Sequence, residues 1–307
     1  MKSCKASFGI IRYSFILKGG EQMPDKILEN IMSAIEYIEA HLTEKLDLDS
    51  IAAASHYSKY YLHRTFTGTV GLTLHEYVQR RKLTEAAKLL VFSDKPILDI
   101  ALMAGYESQQ AFTSIFTAMY KLSPNKYREQ EKFYPLQLKF SLKEGSVMPT
   151  GIVDREEIFF AKKEDIPCWM ELVRLVIDGF PHLYEDEYME ELNKRIENRQ
   201  ALMIKDGETA AGIMLFSYET GSIDFMGTHP LYRNKGIPRA LLDKAMDELL
   251  EDKEISITTY REGDKADTGH RKAVKELGFS EAELLVEFGY PTQRFILSRE
   301  GFDDGQA

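Results

Sequence analysis

Two short stretches carry residues whose types and spacing suit chemistry. The first is Arg233-Asn234-Lys235-Gly236-Ile237-Pro238, inside THPLYRNKGIPRALLDKAMDELL, residues 228–250. A glycine turn that opens a helix presents backbone N–H groups at the positive end of the helix dipole, a seat for a phosphate or pyrophosphate. Gly236 allows close approach of the backbone, while Arg233 and Lys235 add positive charge. Pro238 removes one N–H but is tolerated at the start of a helix. The second stretch is GYESQQAFTSIFTAMYKLSPNKYR, residues 105–128, whose glutamines and hydroxyls on a helix can read base edges. Taken alone, each signal is weak. An R-x-x-G is usually a turn, and a Gln-Gln pair usually belongs to a solvated helix face.

The elements that position these residues follow from composition and period. The 307 residues suffice for two domains, and 44% hydrophobic with 29% charged residues lets each bury a core. The apolar runs are too short to span a bilayer. Cys4 and Cys168 form no disulfide framework or metal site, which suits a reducing cytoplasm. The net charge of −10 is uneven: residues 1–23 carry +3, residues 24–133 carry −1 and residues 134–307 carry −12. That balance argues against indiscriminate polyanion binding and leaves room for a local basic face on the middle segment. Residues 1–25 read as a leader. Gly19-Gly20-Glu21 is encodable as a purine-rich ribosome-binding sequence ahead of Met23, which makes Met23 the expected native start.

From Lys26 to Tyr134 the period is helical throughout. Ile27, Ile31, Ala34, Ile35 and Ile38 form one stripe; Asp47 or Asp49 and then Ser58 can cap the next helices; a long helix runs from His75 to Phe92. The pattern then repeats. IAAASHY at 51–57 returns as IALMAGY at 100–106, LHRTF at 62–66 as FTSIF at 112–116, and GLTLHEY at 71–77 as KLSPNKY at 121–127. These motifs, in register with S-x-x-L-x-R-x-F at Ser58–Phe66 and S-P-x-x-Y-R at Ser123–Arg128, resemble the AraC/XylS family of bacterial transcription regulators. Lys121 departs from the family's glycine, and Ser55 from its usual small turn residue.

The resemblance implies two helix-turn-helix units over residues 26–134, joined by one long helix, with the reading helices about one DNA turn, ~34 Å, apart. It implies base contacts from Tyr60, His63 and Arg64 in the first reading helix, and from Ser108, Gln109, Gln110, Thr113 and Ser114 in the second. Arg64 can pair a guanine at two points, a glutamine an adenine, and Tyr60 can pack on a thymine methyl. Arg80, Arg81, Lys82, Lys121, Lys126 and Arg128 are available for phosphates.

Residues 135–155 read as a linker, in which alternation at Leu136, Leu138, Phe140 and Leu142 suggests a strand. Residues 156–300 turn mixed: a strand, two helices, a three-strand meander ending in SIDFMGT, the turn and helix Pro238–Leu250, strand ISITTY, helix TGHRKAVKELG and two closing strands. Residues 301–307 are a tail. This order around R-x-x-G resembles the GNAT superfamily of acetyl-CoA-dependent N-acetyltransferases. The fold class is therefore multidomain: an all-α double helix-turn-helix domain, then an α/β (α+β) acyltransferase fold with a mixed, mostly antiparallel sheet.

The second resemblance implies that acetyl-CoA or CoA is held by Met226, Gly227 and Thr228 on the strand and by Arg233, Asn234, Lys235, Gly236, Ile237, Pro238 and Arg239 around the turn, without a metal. Val274 stands where the family often has the tyrosine that protonates the leaving thiolate, and Asp267 where it has an asparagine. Tyr260 or His270 is then a substitute acid, although a place on a helix surface is the plainer reading of His270. Glu219 or Asp224 is a candidate base. Tyr184, Glu185, Asp186 and Glu187 could clamp a cationic amine, or the acids simply favour a helix start.

Together these readings imply a cytoplasmic bacterial regulator that binds double-stranded promoter DNA and no membrane, with a small-molecule effector. An active N-acetyltransferase on an amine, polyamine or aminoglycoside-like acceptor is the alternative. An interaction module, including a homodimer, is a third.

Overall fold

The computed structural model describes residues 25–44, 46–55, 57–142, 155–177, 185–248 and 254–297. The leader and its start at Met23, the tail, Tyr184, Leu249 and Leu250 lie outside the described residues, as does most of the linker after 142. The chain separates into two compact units, one helical and one built on a sheet.

The described residues of the helical unit form seven helices: α1 Asp25–Ala40, α2 Leu48–Ala54, α3 Lys59–Val70, α4 Leu74–Phe92, α5 Ile97–Met103, α6 Gln109–Tyr120 and α7 Pro124–Glu129. Leu28, Ile31, Ala34, Ile35 and Ile38 of α1 are all buried. Local chemistry sets the helix ends. Asp47 accepts from Ser50 N at 2.8 Å to start α2, and Thr73 with Glu76 closes a capping box on α4. The repeat is visible in these ends: Ser58 caps α3 and Ser108 caps α6, while Gly71 and Lys121 end the same two helices in the left-handed region, at φ 82° and 60°.

The strand expected over 136–142 does not form. Residues 134–140 form no helix or strand and bend at Leu136, and their backbone groups bond to side chains of α4 and α7 instead of to a neighbouring strand. Burial does not follow the alternation: Leu136, Gln137 and Phe140 are buried, Leu138 is half-buried and Lys139 faces outward.

The second unit carries one seven-stranded sheet, with β1 Phe159–Phe160, β2 Ala201–Asp206, β3 Thr209–Phe216, β4 Ser222–Thr228, β5 Ile255–Tyr260, β6 Ser280–Glu287 and β7 Tyr290–Leu297. The order is β1-β2-β3-β4-β5-β7-β6, antiparallel everywhere except β4–β5. Helices α8 Ile166–Val176, α9 Glu185–Glu197, α10 Ile237–Glu248 and α11 His270–Glu276 accompany it. Gly212 on β3 is where α10 comes closest. A Cβ there would lie 2.3 Å from Ile237 and 3.3 Å from Leu241. The parallel β4–β5 ladder has only two pairs, Ser222–Ser256 and Ile223–Ile257. Both strands run on beyond it, to Thr228 and Tyr260, without further pairing to each other, while each stays paired to its other neighbour. The C-terminal ends of two parallel strands thus part, the usual place for a ligand in an α/β sheet.

Candidate functional sites: a paired helical reader and an acyl-CoA turn

On α3, Leu62 and Phe66 face the core, which leaves Tyr60, His63 and Arg64 on the solvent side; Tyr60 is 80% exposed. The Arg64 guanidinium lies 5.6 Å from the Tyr61 ring centroid. On α6, Phe112 and Phe116 are buried, while Ser108, Gln109, Gln110 and Ser114 are exposed and Thr113 is half-buried. The two faces correspond at the repeat offset: Tyr60 with Gln110, His63 with Thr113, Arg64 with Ser114. Ser108 also caps α6 by accepting from Ala111 N at 3.2 Å. All eight residues expected to read bases therefore lie on the first turns of the second helix of each unit.

The expected phosphate contacts divide. Lys126 is exposed on α7. Arg81 is not available to DNA. It is buried and bonded through Nε and Nη2 to Glu39 at 2.8 and 2.7 Å, through Nη2 to Glu85 and through Nη1 to Gln137 O. A buried guanidinium needs such partners, and Glu39 on α1 supplies them. Arg80 is also buried. Arg128 donates to Leu90 O and Lys95 O at the end of α4, and Lys82 donates to Glu44 O. Lys59, on the face of Tyr60 and His63, is a cation that the motif reading did not single out; it pairs with Asp49.

Residues 51–130 match the helix-turn-helix domain family, and residues 169–279 match the acetyltransferase (GNAT) family. A probable transcription factor of Proteus vulgaris, PqrA, is 46% identical over 104 residues, covering 33% of this chain and 85% of PqrA. The regulatory protein SoxS of Salmonella typhimurium is 40% identical over 100 residues, covering 33% of this chain and 94% of SoxS. The chain belongs to the AraC/XylS family of regulators. A Bacillus subtilis HTH-type regulator, YbfP, is 40% identical over 98 residues, and the chain spans 33% of its length. The AraC/XylS likeness lies within the helical unit, so what the sheet unit does rests on its own residues.

In that unit, β4 leads through His229, a 3-10 turn at Pro230–Tyr232 and Arg233 to Asn234 (φ 64°) and Gly236 (φ 73°), and α10 starts at Ile237. Asn234 and Gly236 thus place two left-handed residues in three just before α10, and the Lys235 N–H between them donates to Tyr232 O at 3.3 Å. Asn234, Gly236 and Arg239 are exposed and Lys235 half-exposed, while Arg233, Ile237 and Pro238 are buried. Pro238 is the second helical residue, where an N–H has no intrahelical partner to lose. His229 orders the approach: its Nδ1 accepts from Leu231 N at 3.2 Å, and its ring meets Tyr232 edge-on at 5.4 Å. Burial, and then the charge of Arg233, push the His229 pKa down to about 4. The Tyr232 hydroxyl donates to Asp206 at 2.8 Å. The Thr228 hydroxyl at the end of β4 is buried with no hydrogen-bond partner among the described residues.

The candidate catalytic groups fare differently. Asp224 is not free to act as a base. Its carboxylate pairs with Arg195 Nη2 at 2.6 Å and accepts from the Ser222 hydroxyl at 2.7 Å, with both ion-pair partners largely buried. Arg195 itself is held by Glu191, Gln200 and Phe216 O. Arg195 was missed by sequence reasoning, for it is one basic residue among several on α9 and nothing local marks its partner. Val274 is fully buried. His270 is buried rather than on the helix surface: Asp267 accepts its backbone N–H at 2.7 Å, Thr268 bonds its Nε2 at 3.0 Å, and its ring lies 5.5 Å from that of Tyr260. Tyr260, at the end of β5, packs in turn on Tyr290, which donates to Asp264. Glu185 forms a two-point pair with Arg174 at 2.7 and 2.6 Å, so its charge is already matched. Among the described residues no group of His, Cys, Asp or Glu is placed to hold a metal ion, and no helix is long and apolar enough to cross a membrane.

Proposed function

We propose that this regulator reads promoter DNA through the exposed faces of α3 and α6 and senses acetyl-CoA or CoA at the Arg233–Arg239 turn, with little or no acetyl transfer. The observation that carries the reading is the pairing of an open, left-handed turn at a helix start with a spent catalytic apparatus. The turn offers backbone N–H groups to a pyrophosphate, with Lys235 beside them. The buried Thr228 hydroxyl, which has no hydrogen-bond partner among the described residues, suits a polar group of a ligand on β4, and the backbone of Met226 and Gly227 suits its amides. Bound acetyl-CoA would supply a thioester-activated acetyl group. Asp224, however, is neutralised by Arg195, and Val274 has no proton to give a departing thiolate. Losing a general acid lowers a rate by ~10²–10⁴, whereas one missing N–H at Pro238 only weakens binding.

The test is calorimetry of the full chain with acetyl-CoA and with CoA, followed by acetyl transfer to a panel of amines and by operator binding with and without each ligand. Micromolar-class binding, negligible turnover and a ligand-dependent change in DNA affinity support a sensor. Absence of binding leaves an interaction or dimerisation module. A second reading, an N-acetyltransferase acting on an amine, draws on the Tyr260–His270 ring pair at the end of β5. Robust turnover lost in Tyr260→Phe or His270→Ala would establish it.

A further inference from the structure

Residues 134–140 lie beyond the helix-turn-helix match, which ends at residue 130. They are nonetheless held by α4. Tyr77, Arg81 and Thr84 stand four and three residues apart on one stripe of that helix. The Thr84 hydroxyl accepts from Leu136 N and Gln137 N at 3.1 and 3.2 Å, Arg81 Nη1 donates to Gln137 O at 3.0 Å, and the Tyr77 hydroxyl accepts from Phe140 N at 3.1 Å. The segment therefore runs antiparallel to α4.

Its ends are tied to different repeat units. Tyr134 N donates to the Tyr127 hydroxyl at 3.0 Å, and the Tyr134 ring packs on Tyr120 of α6 and Tyr127 of α7. At the other end Lys139 pairs with Glu36 of α1 at 2.7 Å, and Tyr77 and Arg81, which grip the segment, both bond Glu39 of α1. Leu136 and Phe140 are buried beneath it.

We propose that residues 134–140 are a brace that fixes the relative placement of α3 and α6, and so sets which separation of half-elements in DNA the chain accepts. The proposal rests on α3 and α6 being the two reading helices. Each unit keeps apolar residues of its own, Leu62 and Phe66 in one and Phe112 and Phe116 in the other. Loosening the brace therefore frees their relative placement more than it unfolds either. Two rigidly held helices fit major-groove faces about one turn, ~34 Å, apart and reject a site whose halves have been shifted and rotated by an inserted base pair.

The experiment uses the full chain and an operator selected from random DNA by the wild-type protein, compared with the same operator carrying one inserted base pair between its two protected halves. The variant is Tyr77→Phe with Thr84→Val, which keeps size and removes the hydroxyls that receive three backbone N–H groups. The penalty for the insertion is expected to shrink by about tenfold in the variant, while affinity for random-sequence DNA stays within about twofold of wild type. A penalty equal to wild type in a variant that melts cooperatively overturns the brace alone. A wild-type chain indifferent to the insertion overturns the two-helix reading and the brace with it. If the double substitution does not fold, the single substitutions carry the test, each expected to remove part of the penalty.

Discussion

At the scale of single residues, position within the repeat separates reading from holding. Arg64 and Arg81 are both arginines of the helical unit, but Arg64 is exposed on α3 and Arg81 is buried against Glu39. Arg64→Ala is expected to weaken operator binding by ~1–3 kcal/mol and to relax preference at one base pair. Lys126→Ala should weaken binding to all sequences and flatten its salt dependence; titrations at several salt concentrations on specific and random DNA separate the two. Lys121 offers a different test. It ends α6 at φ 60°, where the first unit has Gly71. A side chain in the left-handed region costs ~1–2 kcal/mol. Lys121→Gly should therefore stabilise the helical unit by roughly 1 kcal/mol, read as a higher midpoint of urea unfolding, after glycine's greater entropy in the unfolded chain is set against it. No gain would mean that the Lys121 ammonium, bonded to Ala118 O at 2.6 Å, offsets the strain.

At the scale of elements, the turn between β4 and α10 is the sensitive one. Gly236 has open space around a hypothetical Cβ, so bulk alone is no obstacle, but φ is +73°. Gly236→Val forces a β-branched residue into a conformation it avoids and should abolish CoA binding measured by calorimetry, with the far-ultraviolet spectrum preserved. His229 links the same turn to pH. Its folded pKa, about 4, lies below the ordinary value of 6.5, because the ring is buried and the charge of Arg233 stands beside it. The unfolded chain therefore binds more protons between these values. Stability from this group is present above about pH 6.5 and is lost as pH falls towards about 4, on the order of 3 kcal/mol in all. Thermal melts from pH 7.5 down to about 4.5 should show a steeper decline for wild type than for His229→Gln. Parallel curves would remove His229 from the account.

At the scale of the whole molecule, two unlike reading faces in one chain imply an asymmetric operator. Under the proposed reading, Tyr60, His63 and Arg64 on one side and Gln110, Thr113 and Ser114 on the other would select different half-elements. A non-palindromic site covering about two turns of DNA, occupied by one protomer, is the expected footprint. An inverted repeat, with binding lost on dilution to the monomer, would count against it. By linkage, any effect of acetyl-CoA on operator affinity must equal the effect of operator on acetyl-CoA affinity, so the same coupling is measurable from either side.

The sequence by itself determined the helical and mixed halves, the duplicated helical pattern, the succession of strands and helices around the Arg233–Arg239 turn and the exposed faces of α3 and α6. Those features are local: a helix period, a capping serine, a glycine at a turn and a residue's place on a helical face depend on neighbours within a few positions. Tertiary structure alone decided what the charged and polar residues do once buried. Arg81 meets Glu39 across 42 positions and Gln137 across 56, Asp224 meets Arg195 from another element, and His270 turns inward against Tyr260. The apolar alternation of Leu136 to Phe140 predicts a strand, yet the segment becomes a strap on α4, because Thr84, Arg81 and Tyr77 satisfy its backbone before any strand can. Period marks which positions could be buried; only the fold supplies the partner, and for a buried polar group such as Gln137 the partner decides the role.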